Sequence, residues 1–328
     1  MATIVDVAKR ARVSPGTASR VLNNKMVMPI SPLTVARIRQ AAEELGYRPN
    51  ALARALALRK THTLGLCYDV MTDPHFARML EAVEAKARAL GYRLLVSSEP
   101  ESLVHQGVVD GLLIVGLPES YAANAFPAGK AVAFISPAQE PAPRCVVWSD
   151  FEGVSMATRY LLRLGHRQIA ALLGEENATR SFADKRAGFR HAMAESGAAG
   201  YEYAGALHSD RIENGYLLTR RLLSEHPDIT ALFARNDYLA LGAMEALREA
   251  GLNIPEQVSV VGYNDTLLAR CASPHLTSVR TPFAEAGVLA LERLVEAIEC
   301  GVAEFPGALL PVTLTERDSC APPPTHSE

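Results

Sequence analysis

Four acidic residues, Asp69, Asp150, Asp237 and Asp265, stand near the ends of apolar runs in this chain. Carboxylates placed in this way can share acid and base roles, provided that a nucleophile, a phosphate-cradling loop or a set of metal ligands completes the site. The sequence supplies no such completion: it holds no GxxxxGK[ST], GxSxG, HExxH or GxGxxG. Its nine histidines show no paired ligand spacing, and its five cysteines are scattered, odd in number and without a CxxC. The cysteines therefore read as free thiols. His166, in "LGHRQ", reads as a structural histidine at a helix–strand junction. The acids read as polar binding groups or caps, with Asp237 as the N-cap of the helix that follows it. The chain is expected not to be an enzyme, and no catalytic residue, metal or cofactor is assigned.

A different chemistry is written near the start, in "DVAKRARVSPGTASRVLN" from Asp6 to Asn23. Ser14, Thr17 and Ser19 are short donors suited to phosphate oxygens, and Arg20 can donate two hydrogen bonds to a guanine edge. The elements that would position them are legible. Thr3 and Asp6 have capping-box spacing, and Ile4, Val7, Ala8 and Ala11 share one helical face. Ser14-Pro15 starts a second helix with Ala18, Val21 and Leu22 on its buried side. Ser31-Pro32 starts a third, with Val35, Ile38, Ala42 and Leu45 as its stripe and Gly46 at its end. The pattern predicts a helix-turn-helix whose second helix enters the major groove, presenting Pro15, Gly16, Thr17, Ser19 and Arg20. An amphipathic helical hairpin that touches no nucleic acid is the plain alternative.

The charge distribution favours the first reading. Residues 1–60 carry eleven Lys and Arg against three Asp and Glu, a balance of +8, while the remainder sums to -11 and the whole chain to -3. A basic head on an acidic body points to a polyanion met by the head alone. The 328 residues suit two or three domains, and 48 % hydrophobic residues allow a sizeable core. No run approaches the roughly 18 apolar residues of a membrane span, and the N-terminus lacks a signal-peptide core, so a cytoplasmic protein is expected.

After Lys60 the pattern changes to apolar strands alternating with helical stretches, such as "TLGLCYDV", "VDGLLIVG", "QIAALLG" and "VSVVGYN". This alternation, in two rounds, predicts an α/β body of two Rossmann-like lobes with parallel sheets. Ligands in such folds sit in the crevice at the carboxyl ends of the strands. Between head and body, "YRPNALARALALRK" has a helix start at Pro49-Asn50 and puts Leu52 and Leu56 one turn apart. It serves as a plain linker or as a hinge that folds only on DNA.

The head segments, "ISPLTVARIRQAAEELGYRPNALARAL" and the later strand-end motifs together resemble the lactose-repressor/galactose-repressor family of bacterial transcriptional regulators, from about Thr3 to Asp318. The resemblance implies a periplasmic-binding-protein-like body, an effector between the lobes and a homodimer on a palindromic double-stranded operator. Pro15, Gly16 and Arg20 would read bases. Ser31, Thr34 and Tyr47 would hold the DNA backbone, with Thr3, Ser14, Thr17, Ser19 and Asn23 beside them. Leu56 would wedge into the minor groove, with Ala53 beside it and Asn50 nearby. Effector contacts would be His75, Phe76, Asp150, Ser181, Lys185, Asn236, Asn264 and Phe283. A sugar is the expected effector and repression of carbohydrate genes the expected role. A nucleoside, a sugar acid or another small polar metabolite is the alternative. Two other classes are weighed as well: a helix-turn-helix fused to a sugar-modifying enzyme, and a binding module like the periplasmic sugar-binding proteins.

The resemblance implies domains at 1–47 (head), 48–60 (hinge) and 61–318 (body), with lobe 1 at about 61–149 plus 281–318 and lobe 2 at about 150–280. The proline-rich 319–328 reads as a disordered tail, and no leucine heptads follow Arg317 to suggest a tetramerisation coil. Departures from the family pattern are informative. Arg12 stands where a turn glycine is usual, Lys185 where arginine is common and Asn264 where aspartate is. Only "EPESLVHQGV" separates two strands of the first lobe, where family members fit a full helix.

Overall fold

Thr3 lies on extended backbone, its hydroxyl accepts the Asp6 amide, and the Asp6 carboxylate accepts the Thr3 amide at 2.8 Å. This capping box starts α1, Ile4–Arg10, followed by α2, Pro15–Leu22, and α3, Pro32–Glu44. In the computed structural model, the described residues are 2–22, 30–48, 60–68, 74–105, 107–116, 126, 130–174, 179–206, 208 and 211–324. The chain divides into two units, residues 1–62 and 63–328.

The head core is Val7, Ala8, Ala11, Ala18, Val21, Ile38, Ala41 and Ala42. Most of these are alanines, so the helices approach closely but each side chain buries little area, which suits a small, marginally stable unit. Leu45 lies at the C-cap and is 36 % exposed, so the buried stripe of α3 ends at Ala42. Two helices end in the same Schellman geometry. After α1, the Val13 amide reaches the Ala8 carbonyl and the Arg12 amide the Lys9 carbonyl. After α3, the Tyr47 amide reaches Ala42 and the Gly46 amide Glu43. The left-handed residue is Gly46 (φ +60) in one and Arg12 (φ 53) in the other.

The body runs β1 (Thr63–Cys67), α4 (Pro74–Ala89), β2 (Arg93–Ser97), α5 (Pro100–His105), β3 (Gly111–Val115), β4 (Ala131–Pro137) and β5 (Cys145–Trp148). Then come α6 (Asp150–Leu164), β6 (Gln168–Gly174), α7 (Arg180–Ser196), β7 (Ala199–Ala204), α8 (Arg211–Glu225), β8 (Ala231–Ala234), α9 (Asp237–Glu249) and β9 (Ser259–Tyr263). The last elements are α10 (Leu267–Cys271), β10 (Thr277–Arg280), α11 (Phe283–Cys300), β11 (Ala308–Leu309) and β12 (Thr313–Thr315). One sheet is ordered β11-β5-β4-β3-β1-β2 and the other β12-β10-β9-β8-β6-β7, parallel except for the β10–β12 pair. The inner strands are buried on both faces, which is why "GLLIV" and "AVAFIS" read as continuous apolar runs rather than alternating ones. The short α5 stands where the sequence leaves room for little more than a turn.

Two boundaries differ from the sequence expectation. Residues 283–309 return to the first lobe through α11 and β11, but β12 pairs antiparallel with β10, so 313–315 belong to the second sheet. The segment 319–324 is described and docked: Ser319 is fully buried and its carbonyl accepts the Val260 amide. His166 Nε2 donates to the Ala321 carbonyl at 2.9 Å, and burial holds this ring below the ordinary histidine range. Proline-rich composition reports that a segment builds no core of its own, and this one uses the backbone and side chains of lobe 2 instead. Residues 325–328 lie outside the described set.

Candidate functional site

In the head, Ser14 starts α2 by accepting the Thr17 amide at 3.2 Å while the two hydroxyls meet at 2.8 Å. Ser31 does the same for Thr34 at the start of α3. Short hydroxyl side chains serve both as caps and as surface donors. Pro15, Gly16 and Arg20 are exposed, and the Arg20 Nε donates to the Gly16 carbonyl at 3.2 Å, one turn back along α2. The guanidinium thus lies back along the exposed first turn of α2. Thr3 is exposed and Ser19 half-buried, while Tyr47 rests against the head core. Asn23, Asn50, Ala53 and Leu56 lie outside the described residues.

In the body, a cavity of about 180 Å³ opens at the carboxyl ends of β6, β8 and β9. Its lining includes Thr179, Ser181, Lys185, Arg211, Arg235, Asn236, Asp237, Asn264 and Thr266, with the rings of Phe182 and Tyr238. The volume is below the roughly 300–1,000 Å³ of drug-sized sites and suits a small metabolite.

Behind the cavity lies a buried polar knot centred on Asp150, which is 2 % exposed. Its Oδ1 accepts Trp148 Nε1 at 3.1 Å and the Tyr263 hydroxyl at 2.7 Å. Its Oδ2 accepts Ser181 Oγ and faces Lys185 Nζ at 3.7 Å. The same ammonium sits 4.0 Å over the Tyr263 ring and donates to the Arg235 carbonyl at 3.5 Å. Burial beside this carboxylate pushes the Tyr263 hydroxyl far above its ordinary range, so it stays a donor. Gly153 makes the arrangement possible, since a Cβ there would stand 2.6 Å from the Tyr263 oxygen.

Asp237 is the second buried carboxylate. Its Oδ2 accepts the Thr266 amide and hydroxyl at 2.7 and 2.8 Å, and its Oδ1 accepts Ser278 Oγ at 2.7 Å. Desolvation outweighs these bonds and raises its pKa to about 6. Asp237 is not the cap of α9: Asn236 is, its Oδ1 accepting the Leu239 amide at 2.9 Å. The reason is register, because the residue on extended backbone just before the helix is Asn236 and Asp237 is already helical.

Of the residues expected from sequence, the structure brings Ser181, Lys185, Asn236 and Asn264 to the cavity, with Asp150 directly behind. His75, Phe76 and Phe283 gather elsewhere, in an aromatic cluster of lobe 1. Phe76 is 3 % exposed and stacks on Tyr68 at 4.4 Å, so it is core. Phe283 is likewise buried, between His75 at 4.5 Å and Trp148 at 5.5 Å, and Thr281 Oγ1 binds His75 Nε2. Sequence reasoning missed Arg211 and Arg235. Arg235 immediately precedes Asn236 at a strand end and could have been found from that position. Arg211 has no local signal, because only the fold carries the start of α8 to this cavity.

Comparison with known proteins agrees with this architecture. Residues 3–50 match the family model described as bacterial regulatory proteins, lacI family, and residues 158–320 match a periplasmic binding protein-like domain. The chain is 34 % identical to the HTH-type transcriptional regulator GalS of Salmonella typhimurium, over 89 % of this chain and 88 % of that one. It is 33 % identical to the HTH-type transcriptional repressor PurR of Erwinia tasmaniensis, over 99 % and 98 %. The crystal structure of the Lac repressor dimer bound to operator and the anti-inducer ONPF superposes with a TM-score of 0.83 at 28 % identity, covering 98 % of this chain and 99 % of that one.

Proposed function

The chain belongs to the lacI family of bacterial regulatory proteins, and from that premise we propose that it is a repressor that binds a palindromic operator as a homodimer and answers to a small polar metabolite. It is a DNA-binding transcriptional regulator and not an enzyme. Arg20, Pro15 and Gly16 read base edges, and Ser14, Thr17, Ser19, Ser31, Thr34, Tyr47 and Thr3 position the backbone. Asn23, Asn50, Ala53 and Leu56 complete the DNA contacts, with Leu56 as the minor-groove wedge. The effector occupies the cavity beside Ser181, Lys185, Asn236 and Asn264. Its binding moves the lobes relative to each other and changes operator affinity, a coupling of typically 1–3 kcal/mol. The protein works in the cytoplasm, on the nucleoid when bound to DNA.

The observation that supports this reading best is the pairing, in one chain, of an exposed Arg20 on a capped second helix with a polar cavity at strand ends. Fluorescence anisotropy tests it, using DNA from upstream of the gene and its neighbours at one fixed salt concentration. Sugars, sugar acids and nucleosides are added in turn. Tight binding released or strengthened by one compound is the expected result. No DNA binding removes the regulator role, and binding that no metabolite modulates removes the effector role.

A further inference from the structure

A side-chain hydrogen bond spans the two lobes beside the strand that crosses between them. Gln139 is exposed in the loop between β4 and β5 of the first lobe, and its Nε2 donates to Asp184 Oδ1 at 3.1 Å. Asp184 belongs to α7 of the second lobe and is 8 % exposed. Both ends are anchored near the crossover. In the first lobe, Pro137 pairs with Trp148 and the Ala138 amide donates to the Trp148 carbonyl at 2.8 Å, so the loop is tied to the end of β5 just before Asp150. In the second lobe, Asp184 shares a turn of α7 with Ser181 and Lys185, which both meet Asp150 and line the cavity. A ring is thus closed from Gln139 through Asp184, Lys185, Asp150 and Trp148 back to Ala138. Rotation of the lobes about the crossover strains this ring, and its exposed member is Gln139.

Asp184 has a second partner. Its Oδ2 lies 3.6 Å from Arg180 Nε, one turn back on the same helix. That ion pair lies within one lobe and does not depend on how the lobes are set. The carboxylate therefore keeps a counter-charge when Gln139 withdraws, which lowers the cost of parting the lobes.

We infer that the Gln139–Asp184 bond is a clasp, made in one arrangement of the lobes and open in the other, and that it helps set the balance through which an effector controls operator binding. The inference rests on the reading above, in which the lobes move, and adds the residues that bias the motion. A bond present in only one arrangement shifts the equilibrium by its own contribution, whatever else is bound.

The test uses the full-length protein. The chain's one tryptophan, Trp148, is 6 % exposed and stands at the crossover, so quenching of its emission by acrylamide follows the opening of the lobes. Gln139→Ala removes the bond, and Gln139→Glu sets one carboxylate against another. Quenching should rise in the first and rise further in the second. Operator affinity, by anisotropy with the upstream DNA at one salt concentration, should shift in the same direction in both, by about five- to tenfold in Gln139→Ala and more in Gln139→Glu. In an Asp184→Asn background the excess effect of Gln139→Glu should largely vanish, because a neutral amide then meets the new carboxylate. Melting curves establish that the variants are folded. The clasp is overturned if Gln139→Glu matches the wild type in quenching, or if its effect persists undiminished beside Asp184→Asn. Altered quenching with unmoved operator affinity overturns its regulatory part. Should the wild-type protein bind no DNA, the wider reading fails by itself, and the quenching series alone decides whether the lobes are clasped.

Discussion

The head and the second lobe both carry the polar side chains proposed for recognition, and they hold them in opposite ways. In the head, Ser14, Thr17, Ser31 and Thr34 bond to partners three residues away, over a core made largely of alanine. Each can be changed without stranding a buried charge. In lobe 2, Asp150 is bonded to Trp148, Ser181, Lys185 and Tyr263, and so joins four strands and helices in a water-poor setting. The lesson is that local recognition tolerates substitution, while a buried network stands or falls together.

The sharpest way to break that contrast is Asp150→Ala. It leaves the Lys185 ammonium, 7 % exposed, without its carboxylate and strands the Tyr263 hydroxyl. Loss of one partner from a buried pair costs about 3–5 kcal/mol. Urea unfolding of the body should show a drop of that size. Ser14→Ala in the head should cost only about 1 kcal/mol as a lost cap. Equal losses would abolish the distinction.

Asp237 sharpens the comparison from the other side, as a buried carboxylate whose hydrogen bonds come from hydroxyls and an amide. Its folded pKa, about 6, lies above the unfolded value near 3.8. The folded state therefore binds the proton more tightly, and the stability this group contributes is present below pH 4 and lost as pH rises to about 6. The loss is on the order of 2–3 kcal/mol. In Asp237→Asn the wild-type-minus-variant stability difference should fall across that window and level off above it. A flat difference would mean that the hydrogen bonds from Thr266 and Ser278 stabilise the anion fully.

How much was legible in the sequence follows the same division. The three head helices were legible because caps and apolar spacing are local signals, and both Ser-Pro starts hold. The strand–helix alternation of the body was equally plain. Lost to sequence were the strand exchange of 313–315, the docking of 319–324 and the approach of Arg211, all set by contacts distant in the chain (Val260 with Ser319, for example). Phe76 and Phe283 show the limit of type-based reasoning: an aromatic ring near a strand end is as suited to core stacking as to a ligand face, and here it stacks.

Arg20→Ala comes next in size. An arginine that reads a guanine edge contributes about 1–3 kcal/mol, concentrated at one base position. Anisotropy against single-base operator variants should show the variant protein losing discrimination at that position while body stability is unchanged. Uniform weakening across all variants would make Arg20 a phosphate contact.

The smallest effect lies in the turn before α2, where Arg12 occupies the left-handed position that glycine fills at Gly46 in an otherwise identical helix ending. A side chain there costs about 1–2 kcal/mol, and a glycine recovers this but loses about 0.5–1 kcal/mol to the freedom of the unfolded chain. Arg12→Gly should therefore stabilise the head by less than about 1 kcal/mol, seen as slower amide exchange in α1 and α2 of the full-length protein. The exposed Arg12 side chain sits on the basic head, in the turn just before α2, the helix proposed to enter the groove. If it earns its strained place by meeting a phosphate, the same variant should bind operator more weakly, with a salt dependence shallower by about one ion. A stabler head with unchanged salt dependence would instead make Arg12 a plain steric cost, and the head's tolerance of substitution would extend even to its turn.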